Sequence, residues 1–195
     1  MTKKEVLWRE ILNQAIANKK TKFTQKDLAA QFGFSLSTVF NALKIPRQSG
    51  AIKVSGRNFS VVDAEKFLNI WATFRRFRND IIYQTSCNLP LREIEGLMPP
   101  QAIFGTFSAY LKKYKEAPAD YDKVYIYALS DELPKIKKRF PTEKGYENLI
   151  VLKADPWLTD FGQITPDVQT YVDLWNLSEW YAKDFLNALK EKIIF

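Results

Sequence analysis

The 195-residue sequence contains no histidine and one cysteine, Cys87. Without an imidazole there is no Ser–His–Asp triad, no histidine general base and no ordinary zinc site. One thiol cannot close an intrachain disulfide, so the expected location is the cytoplasm. Catalysis, if any, would have to rest on carboxylates, lysines or hydroxyls. Long apolar runs are missing as well. No stretch approaches the roughly 18 residues that cross a bilayer, so no membrane partner is expected. The opening residues MTKKEVLWRE carry charges within their apolar stretch, unlike a secretory signal.

What is present is ordinary in amount and uneven in placement. Apolar residues make up 46% and charged residues 26%, the balance of a globular protein, and the length suits two domains. The net charge is +7, and all of it falls on the first third. Residues 1–63 hold eleven Lys and Arg against four Asp and Glu, whereas residues 64–195 hold eighteen of each. A basic module joined to a neutral one is the pattern expected when the first part alone meets phosphates.

That first part has a readable order. Thr24 precedes Asp27 in a capping-box-like spacing, Leu28, Ala29 and Phe32 supply an apolar face, and Gly33 ends the helix. Ser35 is placed to cap a second helix, in which Leu36, Val39, Phe40 and Leu43 recur at i, i+3, i+4, i+7 and are expected to form the buried stripe. The other face then shows Ser37, Thr38, Asn41 and Lys44, whose hydroxyls, amide and cation can reach base edges or phosphates. Pro46 should stop this helix. Ala51–Val54 and Asn58–Val62 flank Ser55-Gly56-Arg57, a hairpin with a glycine at its tip and Lys53 and Arg57 beside it. A helix over residues 3–20 would complete the core, with Trp8 covering its edge or touching a dimer partner, and Phe23 should begin a short strand joining the hairpin. Helix, turn, helix, hairpin is the order of a winged helix-turn-helix. The expected DNA-binding set is Ser37, Thr38, Asn41, Lys44, Arg47, Lys53 and Arg57. A polar surface helix would show the same residue types, but it would not explain the charge asymmetry.

Asp63 should cap a helix over 64–79, read as a linker carrying Phe67, Leu68, Trp71, Phe74 and Phe77. From residue 80 the pattern becomes mixed α/β. Strands are expected at 81–85, 123–129 and 148–153. Helices are expected at 91–98, at 101–114 with Gly105 inside, at 130–140, after Pro166, and at 178–193. The fold class is α+β, with domains at 1–63 and 80–195 joined by the linker 64–79.

The segments Gln101–Tyr110, Val124–Tyr127 and Ile164–Leu174, with Trp180-Tyr181-Ala182 and Leu186, resemble the AbiEi-type antitoxin and transcriptional-regulator family. The resemblance implies a DNA-binding repressor that binds its own promoter, the antitoxin of a type IV toxin–antitoxin pair. Its partners would be double-stranded DNA and a nucleotidyltransferase-like toxin. It also implies a C-terminal domain similar to a degenerate nucleotidyltransferase fold. Active members of that superfamily need Gly-Ser at a helix start and two metal-binding carboxylates on the following strand. Here Gly105 is followed by Thr106, and the strand KVYIYAL has no acid. Asp120 and Asp122 precede that strand, in a segment that reads as a solvated turn. No catalytic residue, metal or cofactor is therefore expected. The alternatives are a nucleotidyltransferase acting on a nucleotide or tRNA through Asp120 and Asp122, and a protein-interaction adaptor. A homodimer is plausible because one winged helix reads few base pairs.

Overall fold

The computed structural model describes residues 1–193. The chain is α+β and divides into two compact units, Met1–Arg75 with the end of the last helix from Glu191, and Arg76–Lys190.

In the first unit α1 spans Lys3–Ala17, with Thr2 and Glu5 closing a capping box at its start. It ends three residues earlier than the spacing suggests, because Lys19 takes a left-handed φ of 56°. Strand β1 (Lys22–Thr24) leads into α2 (Gln25–Phe32) and α3 (Leu36–Gln48). Strands β2 (Ile52–Ser55) and β3 (Asn58–Val61) and helix α4 (Ala64–Phe74) complete it. The sheet is antiparallel in the order β1-β3-β2. Phe59 of β3 sits opposite Phe23 and Val54, and the Phe23 and Phe59 rings stack at 5.4 Å on the buried side. The segment expected as a linker over 64–79 falls in two pieces. Helix α4 stops at Phe74 within the first unit, and Phe77–Asp80 forms a separate 3-10 turn in the second.

The second unit holds β4 (Ile81–Thr85), α5 (Leu91–Gly96), β5 (Ile103–Phe104), α6 (Thr106–Tyr114), β6 (Val124–Ala128), α7 (Leu133–Arg139), β7 (Leu149–Lys153), α8 (Asp167–Trp175) and α9 (Ala182–Ile193). The sheet order is β4-β7-β6-β5, parallel only between β6 and β7. All five residues of β6 are buried, so helices cover both faces. Val124, Ile126 and Ala128 join Ile94, Ile136 and Phe140 in one apolar cluster. On the other face the Tyr125 ring meets Phe107, and the Tyr127 hydroxyl donates to Asp173 at 2.6 Å in the interior.

Three helix starts in the second unit differ from the sequence reading. The expected helix 101–114 begins as strand: Ile103 and Phe104 pair with Tyr127 and Ile126, and Gly105 with φ −112° and ψ 175° separates them from α6. The helix expected from Ser130 begins at Leu133, with Pro134 in its first turn. The last helix begins at Ala182 rather than Ser178. Glu179 is tied down there by Lys123 Nζ at 2.7 Å and the Tyr125 hydroxyl at 2.8 Å.

Candidate nucleic-acid interface

The turn between α2 and α3 is three residues long, and each has a task. Gly33 is left-handed at φ 64°, with its N–H on the Ala30 carbonyl and the Phe34 N–H on Ala29 at 2.9 Å, a Schellman closure. Phe34 turns inward to stack on Phe32. Ser35 then caps α3 by accepting from the Thr38 N–H at 3.2 Å. The Ser35 hydroxyl also lies 2.9 Å from the hydroxyls of Ser37 and Thr38, so three hydroxyls gather at the start of α3.

Helix α3 is rotated relative to the expected stripe. Its buried residues are Val39, Ala42, Leu43 and Pro46, whereas Leu36 is 56% exposed and Phe40 47% exposed. The cause lies in Pro46, which sits inside the helix rather than ending it. Proline has no N–H to give the carbonyl four residues back. That carbonyl belongs to Ala42, and the buried Trp8 indole donates to it at 2.8 Å. Trp8 therefore lies beneath α3 rather than at an edge, and the small Ala42 faces it. At about 100° per residue, this setting turns Leu36 and Phe40 outward.

Ser37, Asn41 and Lys44 form one exposed row on the face opposite the buried residues, and Gln48 continues it. Thr38 is half-buried at the side of that row. Arg47 is exposed in the last turn, on the flank shared with Phe40. The Lys44 ammonium sits 5.5 Å from the Phe40 ring centroid. Lys53 is exposed on the solvent side of β2, opposite Ser60, with Lys22 of β1 on the other side of the same serine. Arg57 is the second residue of a two-residue loop whose first, Gly56, has φ 58°, the II′ pattern that suits a hairpin's twist. The structure thus gathers Ser37, Asn41 and Lys44 on one face and leaves Lys53 and Arg57 on the adjoining hairpin. Leu36 and Phe40, expected in the buried stripe, and Gln48 and Lys22 lie outside the expected DNA-binding set. The first two were hidden by a periodicity that fits two phases equally well.

The charges on this face have no internal competitor. Residues 28–62 contain no aspartate or glutamate. Among the described residues no carboxylate lies within ion-pair distance of Lys44, Arg47, Lys53 or Arg57. Two other basic residues of the first unit are spent on the fold. Arg9 is buried, and Arg75 reaches the Glu5 carboxylate at 3.4 Å in the interior.

In the second unit Asp120 and Asp122 are exposed. Asp122 accepts from the Tyr146 hydroxyl at 2.9 Å and from the Tyr181 hydroxyl. Burial, then the bond to Asp122, pushes the Tyr181 phenol well above its ordinary range. Glu179 is pushed up by burial, but its bonds from Lys123 and Tyr125 outweigh that and hold its carboxyl below the usual value. Gly105 precedes α6, and a side chain there would meet the Tyr127 ring at 3.2 Å. Thr106 is fully buried with a left-handed φ of 47°. No group of three or more metal-ligating side chains occurs among the described residues, and no helix among them is long and apolar enough to cross a membrane.

No protein family, characterised protein or solved structure matches the chain.

Proposed function

We propose that the chain is a DNA-binding transcriptional regulator, an antitoxin-like repressor whose first unit is a winged helix. Helix α3 enters the major groove, with Ser37, Asn41 and Lys44 toward base edges and phosphates. The hairpin of β2 and β3 follows the neighbouring backbone with Lys53 and Arg57. One observation carries this reading: four exposed cations on and beside one helix face, set within an acid-free run of residues 28–62. A surface built for protein contact or for solubility has no reason to exclude acids there.

The second unit serves as a partner-binding or regulatory domain, in keeping with a degenerate nucleotidyltransferase fold. Three features support a non-catalytic role. Strand β6 is buried on both sides and carries no acid. Gly105 is followed by a buried threonine. The Asp122 carboxylate already accepts two phenols. The partner in an antitoxin reading is a nucleotidyltransferase-like toxin encoded beside this gene, and promoter repeats would be occupied by a homodimer.

The test is a mobility-shift assay of the full chain with duplex DNA from upstream of its own coding region and with unrelated duplex. Retention of the upstream duplex at lower protein concentration supports the reading. Absence of binding to any duplex at 50 mM salt would remove it. Titrating magnesium and a nucleoside triphosphate into the chain addresses the enzymatic alternative, and saturable heat would favour it.

A further inference from the structure

On the DNA-binding reading, we infer that α3 recognises A·T base pairs, with Phe40 and Leu36 seated on thymine methyl groups and Asn41 on the adenine edge beside them. Leu36 and Phe40 stand one turn apart and form a continuous apolar strip along one flank of the Ser37–Asn41–Lys44 row. Each leaves about half of its surface in water, on a helix whose neighbouring face carries cations and an amide. Large apolar groups held in water lose the burial they could have had, so a strip of two has an occupant to expect.

The chemistry of that occupant is fixed by the surroundings. The strip is bordered by Lys44, whose ammonium lies against the Phe40 ring, and by Arg47, with no carboxylate of the described residues within ion-pair distance of either. A polyanion complements this border, and an ordinary protein partner does not. Within the major groove of duplex DNA the one apolar group on any base edge is the C5-methyl of thymine. The amide that pairs bidentately with adenine N6 and N7 is asparagine or glutamine, and Asn41 is the next residue after Phe40. Adjacent positions on the helix thus both favour A·T pairs, one through the methyl and one through the purine edge. Lys44 supplies a phosphate or guanine contact one turn further on.

The experiment has two stages and uses the full chain. A pool of random duplexes is first selected for binding, and the enriched pool is sequenced. In the strongest duplex each thymine is then replaced singly by deoxyuridine, which removes only the methyl, and affinity is read by fluorescence anisotropy. The expected results are a run of A·T pairs in the selected core and a loss of roughly three- to fivefold at one or two deoxyuridine positions. In a variant carrying both Phe40→Ala and Leu36→Ala, whose side chains are about half exposed, the same replacements change nothing. Equal affinity for thymine and deoxyuridine at every position overturns the inference, as does a G·C core. So does a Phe40→Ala variant that keeps wild-type DNA affinity while losing a dimer. Failure of every duplex to bind overturns the DNA-binding reading instead, and so separates the two.

Discussion

The indole of Trp8 donates to the carbonyl of Ala42, the acceptor that Pro46 cannot serve, at 2.8 Å in a site closed to water. The proline is thereby tolerated in the last turn of α3, and the helix is fixed in rotation against α1. Trp8→Phe should cost about 1–3 kcal/mol, since it strands a buried carbonyl. In a Pro46→Ala background the helix can supply its own N–H, so the cost of Trp8→Phe should fall by about 1 kcal/mol. Denaturant unfolding of the four proteins of this cycle measures the coupling. Additive costs would mean that the indole does not replace the missing donor.

The rotation of α3 has its own signature in stability. Leu43→Ala, on the buried face, should lose about 2–5 kcal/mol. Leu36→Ala and Phe40→Ala should stay within about 0.5 kcal/mol of the parent. Thermal unfolding distinguishes this from the phase in which Leu36 and Phe40 are core, where all three would be costly.

Glu5 and Arg75 bridge the start of α1 and the end of α4 at 3.4 Å, and both are almost fully buried. Among the described residues Arg75→Ala leaves the buried Glu5 carboxylate with only the bonds from Thr2, and should cost about 3–5 kcal/mol. Glu5→Gln added to it should recover part of that loss, which denaturant titration of single and double variants would show.

Asp63 caps α4 by accepting the Lys66 N–H at 2.8 Å. That backbone bond, with a smaller contribution from the Lys66 side chain, holds its carboxyl below the ordinary value. A pKa lower in the folded chain than in the unfolded one gives stability that is complete above the unfolded value, near 4, and lost as pH falls through the folded value. Asp63→Ala should therefore be less stable by about 1 kcal/mol at neutral pH, and the gap should narrow in acid. Asp63→Asn keeps the cap oxygen without the charge. Its melting temperature should approach that of the parent only as pH falls below 4.

Much of this architecture is legible in the sequence, and the misses share a cause. The side-chain oxygens of Thr24, Ser35 and Asp63 each accept from the backbone N–H three residues on, and Gly33 turns its own backbone, so local chemistry names the ends of α2 and the starts of α3 and α4. The alternation in β6 is as plain, since Val124, Ile126 and Ala128 must all face one way. The rotation of α3 was not legible, because 36/39/40/43 and 39/42/43/46 are both helical spacings. The choice between them is made by Trp8, 34 residues away. The strand at Ile103–Phe104 was missed for the same reason: two residues show no period, and only β6 beside them makes them a strand. Of the candidate interface, the cations and Asn41 could be read from composition and order. The exposed Leu36 and Phe40 depend on that distant contact and could not.

On the proposed function the exposed cations of α3 and its hairpin neutralise DNA phosphates, and the salt dependence of duplex binding reports that neutralisation. Affinity of the full chain for the upstream duplex is measured across 50–300 mM KCl, alongside Lys53→Ala and Arg57→Ala. The expected result is a steep negative slope of log K against log salt, made shallower by about 0.9 for each phosphate contact removed. Slopes unchanged in both variants, or no binding even at the lowest salt, would contradict it.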